Sequence, residues 1–94
     1  MKVFLTRRAA RNYNSIKEYI TQEFGERTSE TFTKKADETF QLLENFPKMG
    51  PLETKDIRGF QLSRQTRILY RVKEQKIIIL SLFDVRQNPK KKPS

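Results

Sequence analysis

Residues 57–84, IRGFQLSRQTRILYRVKEQKIIILSLFD, form the only long run of this chain without a helical period. Within it, residues 66–73 alternate. Ile68, Tyr70 and Val72 fall on one parity, with Arg67, Arg71 and Lys73 on the other, the period of a half-buried strand. Residues 77–83 are apolar on both parities, which predicts a central strand or one whose second face is also covered. Polar tetrads at 63–66 and 73–76 separate the runs. Neither carries Asn-Gly or Asp-Gly, so the two tight connections follow from strand spacing and not from turn chemistry. The alternation slips at Gly59, since Phe60 and Leu62 share a parity that Ile57 lacks. A β-bulge at Gly59 would bring Ile57 onto their face and turn Arg58 outward.

Upstream, residues 2–6 read as a short first strand with Val3 and either Leu5 or Phe4 pointing inward, and Thr6 as the N-cap of a helix. Ala9, Tyr13, Ile16, Ile20 and Phe24 then mark one apolar stripe at helical spacing, closed by Gly25. Arg7, Arg8 and Arg11 lie off that stripe and oppose the helix dipole, a candidate contact surface. A second helix is predicted over residues 27–46, with Phe32, Ala36, Phe40, Leu42, Leu43 and Phe46 as its stripe, and Pro47 ends it. So short a link makes the two helices an antiparallel hairpin. Tyr13, Phe24, Phe32 and Phe40 all fall on buried stripes and read as core, not as base-stacking residues. The fold class is therefore α+β in the order β-α-α-β-β-β, a helical hairpin packed on a small, mainly antiparallel sheet.

The 94 residues suffice for one core, and the chain reads as a single domain, 1–94, whose residues 86–94 form a basic, flexible tail. Without cysteine or histidine, disulfides and thiolate metal sites are excluded, and a triad hydrolase or zinc enzyme is disfavoured. No cofactor or metal is expected. The longest apolar run is about seven residues against the roughly 20 that span a bilayer, and no signal segment opens the chain, so a cytoplasmic protein is expected. The net charge is +9 and unevenly spread. Residues 26–46 carry three cations and five acids, whereas residues 48–76 carry eight cations and three acids. Arg86, Lys90, Lys91 and Lys92 follow with no acid. Positive charge gathered on sheet and tail suits a phosphate backbone or an acidic protein.

The element order, the Pro47-Lys48-Met49-Gly50 break, the RILYRV strand at 67–72 and the apolar last strand ending near Arg86 together resemble the RelE/ParE superfamily of bacterial toxins from toxin–antitoxin operons. The resemblance runs from Val3 to Lys91. It implies one of two activities. In the RelE branch, a basic concave sheet enters the ribosomal A site and cleaves messenger RNA without a metal, using lysines, arginines and a C-terminal tyrosine. In the ParE branch, the same scaffold lacks that set and poisons DNA gyrase by binding it.

Position by position, Arg67 matches the arginine opening the third strand and Arg86 the arginine after the last one. Arg58 stands at the first of two alternating lysines, but Phe60 occupies the second, and no tyrosine lies beyond Tyr70. Asp84, Glu53 or Asp56 are candidate bases by proximity in sequence alone. The incomplete set favours the ParE-like branch. A gyrase-binding toxin is the leading expectation, a RelE-like endoribonuclease using Arg58, Arg67 and Arg86 the alternative, and a non-toxic RNA-binding module the third.

Target or nucleic-acid contacts are expected at Arg58, Arg64, Arg67, Arg86, Lys90 and Lys91, with the four arginines able to converge on one face. The family resemblance also implies a cognate antitoxin, with Ile77, Ile79 and Phe83 as candidate contacts. Exposed aromatics interleaved with the arginines, which single-strand binders use, are lacking.

Overall fold

The computed structural model describes residues 1–87, with elements β1 (Lys2–Leu5), α1 (Arg7–Phe24), α2 (Glu26–Asn45), β2 (Ile57–Gln61), β3 (Thr66–Lys73) and β4 (Lys76–Asp84). The two helices pack on a four-stranded sheet of order β1-β4-β3-β2, in which β1 runs parallel to β4 and the other neighbours are antiparallel. The expected order and fold class are observed. Thr6 caps α1 by accepting a hydrogen bond from the Ala9 N–H at 3.0 Å. Gly25 alone joins the helices. Its φ of 93° is open to glycine, its N–H closes α1 on the Thr21 carbonyl, and its own carbonyl accepts from Ser29.

The core lies between the helices and one sheet face: Ala9, Ile16 and Ile20 from α1, Phe32, Ala36 and Leu43 from α2, and Leu62, Ile68, Tyr70, Ile77, Ile79 and Leu82 beneath them. Tyr13, packed on Phe32 with ring centroids 5.5 Å apart, and Phe40 flank it. Phe24 and Phe46 depart from the expected stripes, being 51% and 59% exposed. Each sits at a helix terminus, where the chain turns away before the sheet can cover the ring.

The bulge expected at Gly59 is absent. β2 pairs with β3 without interruption, Arg58 opposite Tyr70 and Phe60 opposite Ile68, so Arg58 points to the helix side and Ile57 to the other. The irregularity lies one strand further on. Leu69 faces Ser81 while Tyr70 faces Ile79, leaving Leu80 as the extra residue of β4. That shift puts Ile77, Ile79 and Leu82 on the same buried face despite their mixed parity, which accounts for a strand apolar on both parities. The Leu80 carbonyl accepts a hydrogen bond from the Thr6 hydroxyl at 3.1 Å, so the end of β1 pins the bulge. The β3–β4 turn is as tight as expected, with Glu74 and Gln75 both at positive φ in place of the usual Asn-Gly.

The Pro-x-x-Gly break has a specific job. The Tyr70 hydroxyl donates to the Pro47 carbonyl at 2.8 Å and accepts from the Gly50 N–H at 3.0 Å. The Arg58 guanidinium donates to the carbonyls of Lys48 at 3.1 Å and Gly50 at 2.8 Å. One tyrosine and one arginine thus fasten the loop after α2 to the sheet. Tyr70→Phe strands a buried N–H and a carbonyl, and should cost about 1–3 kcal/mol, read as a lower urea midpoint at unchanged m-value.

Of the expected tail, Arg86 and Gln87 are held in a turn: the Gln87 N–H bonds to the Asp84 carbonyl, and its side-chain amide reaches the Ser15 hydroxyl on α1. Residues 88–94, Lys90 and Lys91 among them, lie outside the described residues.

Candidate functional site

The four arginines expected to converge occupy three places. Arg58 is committed to the loop carbonyls on the helix side. Arg67, opposite Phe83 in the ladder, stands on the uncovered sheet face and is ion-paired with Glu53. The pair crosses directly over Gly59, where a Cβ would collide with both side chains. Arg71, on that same face, has its Nε 2.9 Å from an Asp56 carboxylate oxygen, a charge contact more than an aligned hydrogen bond. The segment preceding β2 therefore brings its own carboxylates to the uncovered face and neutralises part of its charge. Glu53 and Asp56, two of the candidate bases, are engaged in this way.

Arg86 is held differently. Thr66 and Asp84 face each other across β3 and β4 on the helix side, both buried. The Asp84 carboxylate accepts from the Thr66 hydroxyl at 2.5 Å, from the Arg86 N–H at 2.9 Å, and from Arg86 Nε and Nη2 at 3.0 and 2.8 Å. Burial by itself would push the Asp84 carboxyl up. The hydrogen bonds from Arg86 and Thr66, with the guanidinium charge, outweigh burial and hold it below its ordinary value. Donating to the Asp84 carboxylate raises the Arg86 guanidinium in turn, against the opposing effect of burial. The guanidinium also lies over the Phe24 ring at 5.8 Å, giving that exposed aromatic a partner.

Arg86 thereby lines a cleft of about 350 Å³ between the first half of α2 and the β2–β3 turn. Arg64 sits at the tip of that turn, which Ser63 closes by accepting from the N–H groups of Gln65 and Thr66. Lys35, Thr28 and Thr31 reach the cleft from α2, and Phe32 and Leu62 form its apolar floor. A second depression of about 290 Å³ continues it along α2, sharing Lys35 and Leu62 and adding Glu38, Leu42 and Phe60. Of the expected contact residues, Arg64 and Arg86 meet here, joined by Lys35, which charge counting over residues 26–46 had hidden in an acidic segment. The spacing of Thr28, Thr31 and Lys35, three then four residues, was the available signal for one helix face.

Candidate antitoxin contacts divide as well. Ile77 and Ile79 are 0% exposed beneath the helices and offer a partner nothing. Phe83 is 40% exposed on the uncovered face, beside Arg67. Phe60, at the second lysine position of the nuclease set, packs against the core. Among the described residues no group of three or more His, Cys, Asp or Glu could hold a metal ion, and no helix is long and apolar enough to cross a membrane.

The family model described as the ParE toxin of the type II toxin–antitoxin system parDE matches residues 3–89. The chain belongs to the ParE toxin family. Solved structures of the same fold include a chromosomal ParDE toxin–antitoxin system from P. aeruginosa, at 24% identity over 89% of this chain and 95% of that one, with a TM-score of 0.76. A YoeB/ParE toxin from Agrobacterium tumefaciens (19% identity, 89% and 98% covered, TM-score 0.64) and the YoeB dimer from Staphylococcus aureus (15%, 88% and 94%, 0.62) share it. At these identities the likeness is one of fold. No curated protein matches the sequence significantly. Family membership places the β-α-α-β-β-β scaffold among toxins of type II systems, although the arginines matched to the nuclease set do not share a face.

Proposed function

We propose that this ParE-family toxin inhibits growth by binding an essential protein, a type II topoisomerase such as DNA gyrase, and that a cognate antitoxin restrains it. One observation carries the choice of branch: each arginine matched to the nuclease set is tied to a different partner on a different part of the molecule. Arg58 is bonded to the loop carbonyls, Arg67 is ion-paired with Glu53, and Arg86 is clamped by Asp84. Stabilising a developing phosphorane needs unengaged donors already aimed at one phosphate, and these three are not. Membership of the parDE family supports both the antitoxin and a role in plasmid stabilisation. Both target and antitoxin would be met in the cytoplasm.

Two assays run side by side test this. Purified protein should inhibit gyrase supercoiling of relaxed plasmid, while translated messages stay intact in a translation-coupled cleavage assay. Cleavage in the ribosomal A site, lost by orders of magnitude in Arg67→Ala or Arg86→Ala variants that still fold, would overturn the proposal in favour of an endoribonuclease.

A further inference from the structure

Arg67, Leu69, Arg71 and Lys73 share one parity of β3 and stand on the uncovered face of the sheet. Such a row of cations is what a phosphodiester strand would bind. Two of its members are already occupied. Glu53 is ion-paired with Arg67, and an Asp56 carboxylate oxygen lies 2.9 Å from Arg71 Nε. Both acids come from residues 53–56, the segment leading into β2. There the Glu53 and Thr54 N–H groups donate to the Ile57 carbonyl at 2.7 and 3.4 Å and fold the segment back onto the strand.

These pairs are not the by-product of a crowded surface. The chain has eleven acids against 20 cations. Among the described residues, ion pairs form only at Glu53, Asp56 and Asp84, although every other acid except Glu44 is exposed. Two of the three pairs thus fall on one strand, made by one short segment. The first runs directly over Gly59, where a Cβ would collide with both side chains. In the second, the Asp56 side chain is 59% exposed against 34% for Arg71, and Arg71 Nε is shut off from solvent. The carboxylate is therefore the group that an approaching ligand chiefly meets.

We infer that Glu53 and Asp56 are specificity residues that keep phosphodiester strands off the basic face of β3. The inference rests on the reading above that this toxin acts on a protein, and it names the residues that enforce the choice. A phosphate approaching Arg67 or Arg71 meets a charge of its own sign already seated on that guanidinium. It must displace the carboxylate or lie beside it, and either weakens binding. A nucleic-acid strand carries a charge at every nucleotide and cannot present a neutral group there, whereas a protein can. Partly exposed ion pairs add little to stability, so removing the two acids should change binding far more than folding.

The test is a fluorescence-anisotropy titration of a labelled single-stranded oligouridylate with the full chain and with Glu53→Gln/Asp56→Asn. The neutralised variant should bind about tenfold more tightly at low salt. Its plot of log K against log salt should steepen by about 1.4, the increment for two added phosphate contacts at roughly 0.7 each. Glu18→Gln/Glu23→Gln, on exposed positions of α1 behind the sheet, makes the same change in net charge and should stay within about twofold of the parent. Adding Arg67→Gln and Arg71→Gln to the neutralised variant should abolish the gain. In the unaltered protein, the oligonucleotide should leave the backbone amide resonances of Arg67, Leu69 and Arg71 in place, and in the neutralised variant it should shift them. The first of these readings needs no variant to fold.

No gain in affinity, an equal gain from the α1 pair, a gain that survives loss of both arginines, or β3 amides that already shift in the parent would each overturn the inference. Failure to inhibit supercoiling would overturn the proposed target and leave a gain in the neutralised variant standing. A neutralised variant that gains no affinity, beside a parent that still inhibits supercoiling, would sink this inference alone.

Discussion

Arg86→Ala is expected to destabilise the fold by about 3–5 kcal/mol, measured by urea denaturation near neutral pH. The substitution leaves the Asp84 carboxylate buried at the end of β4 with only the Thr66 hydroxyl and one backbone N–H for company. A carboxylate 1% exposed loses with Arg86 the charge that offsets its burial. Asp84→Ala should cost less, about 2–3 kcal/mol, because the stranded Arg86 is 24% exposed and can turn outward. The double variant should lose less than the two single losses combined, since the second change removes the charge that the first left unpaired.

Acid should reveal the same contact. Asp84 has a folded-state pKa below its ordinary 3.8, so its contribution is complete above that value and is lost as the pH falls through the folded one. In Arg86→Ala the deficit should narrow in acid, because a protonated Asp84 needs no counter-charge. A deficit independent of pH would show that Arg86 acts by packing alone.

Gly50→Ala is the second large effect, expected at about 3 kcal/mol or more. An added Cβ would stand 2.7 Å from the Gly59 carbonyl oxygen and 2.8 Å from the Tyr70 hydroxyl. The first of these is backbone in a paired strand and cannot step aside, so the Pro47–Pro51 loop must lift instead. Lifting it breaks the bonds from Tyr70 and Arg58 together. The loss should appear both as a lowered midpoint and as faster proteolysis between α2 and β2. Combined with Tyr70→Phe, the cost should again fall short of additive, because one obstructing atom and two of the threatened bonds are already gone.

Periodicity carried most of this architecture. The helical stripes through Ile16, Ile20, Phe32 and Leu43, and the alternation of Ile68 and Tyr70, are local consequences of which face must leave water, and they appear as expected. The Pro47 stop, the Thr6 cap and the glycine between the helices act within a few residues of themselves and were equally legible. The bulge was not. Its sequence sign, a glycine and a slipped parity, pointed to Gly59, whereas Gly59 is there to let the Glu53–Arg67 pair cross over it.

The candidate site was less legible for the same reason. Arg58, Arg64, Arg67 and Arg86 are alike as residue types, and their spacing says only that each lies in or beside a strand. Which of them is free depends on carboxylates and carbonyls brought up from elsewhere: Glu53 to Arg67, Asp84 to Arg86, the 48–50 loop to Arg58.

Local chemistry thus dictated that this chain would be two amphipathic helices and an apolar meander, because the solvent sorts side chains at a period each backbone conformation makes its own. It could not dictate which cations stay unpaired or where they gather, since a charge is neutralised by whatever lies within a few ångströms in space, however distant in the chain. Only the folded arrangement shows Lys35, from an otherwise acidic helix, lining one cleft with Arg64 and Arg86.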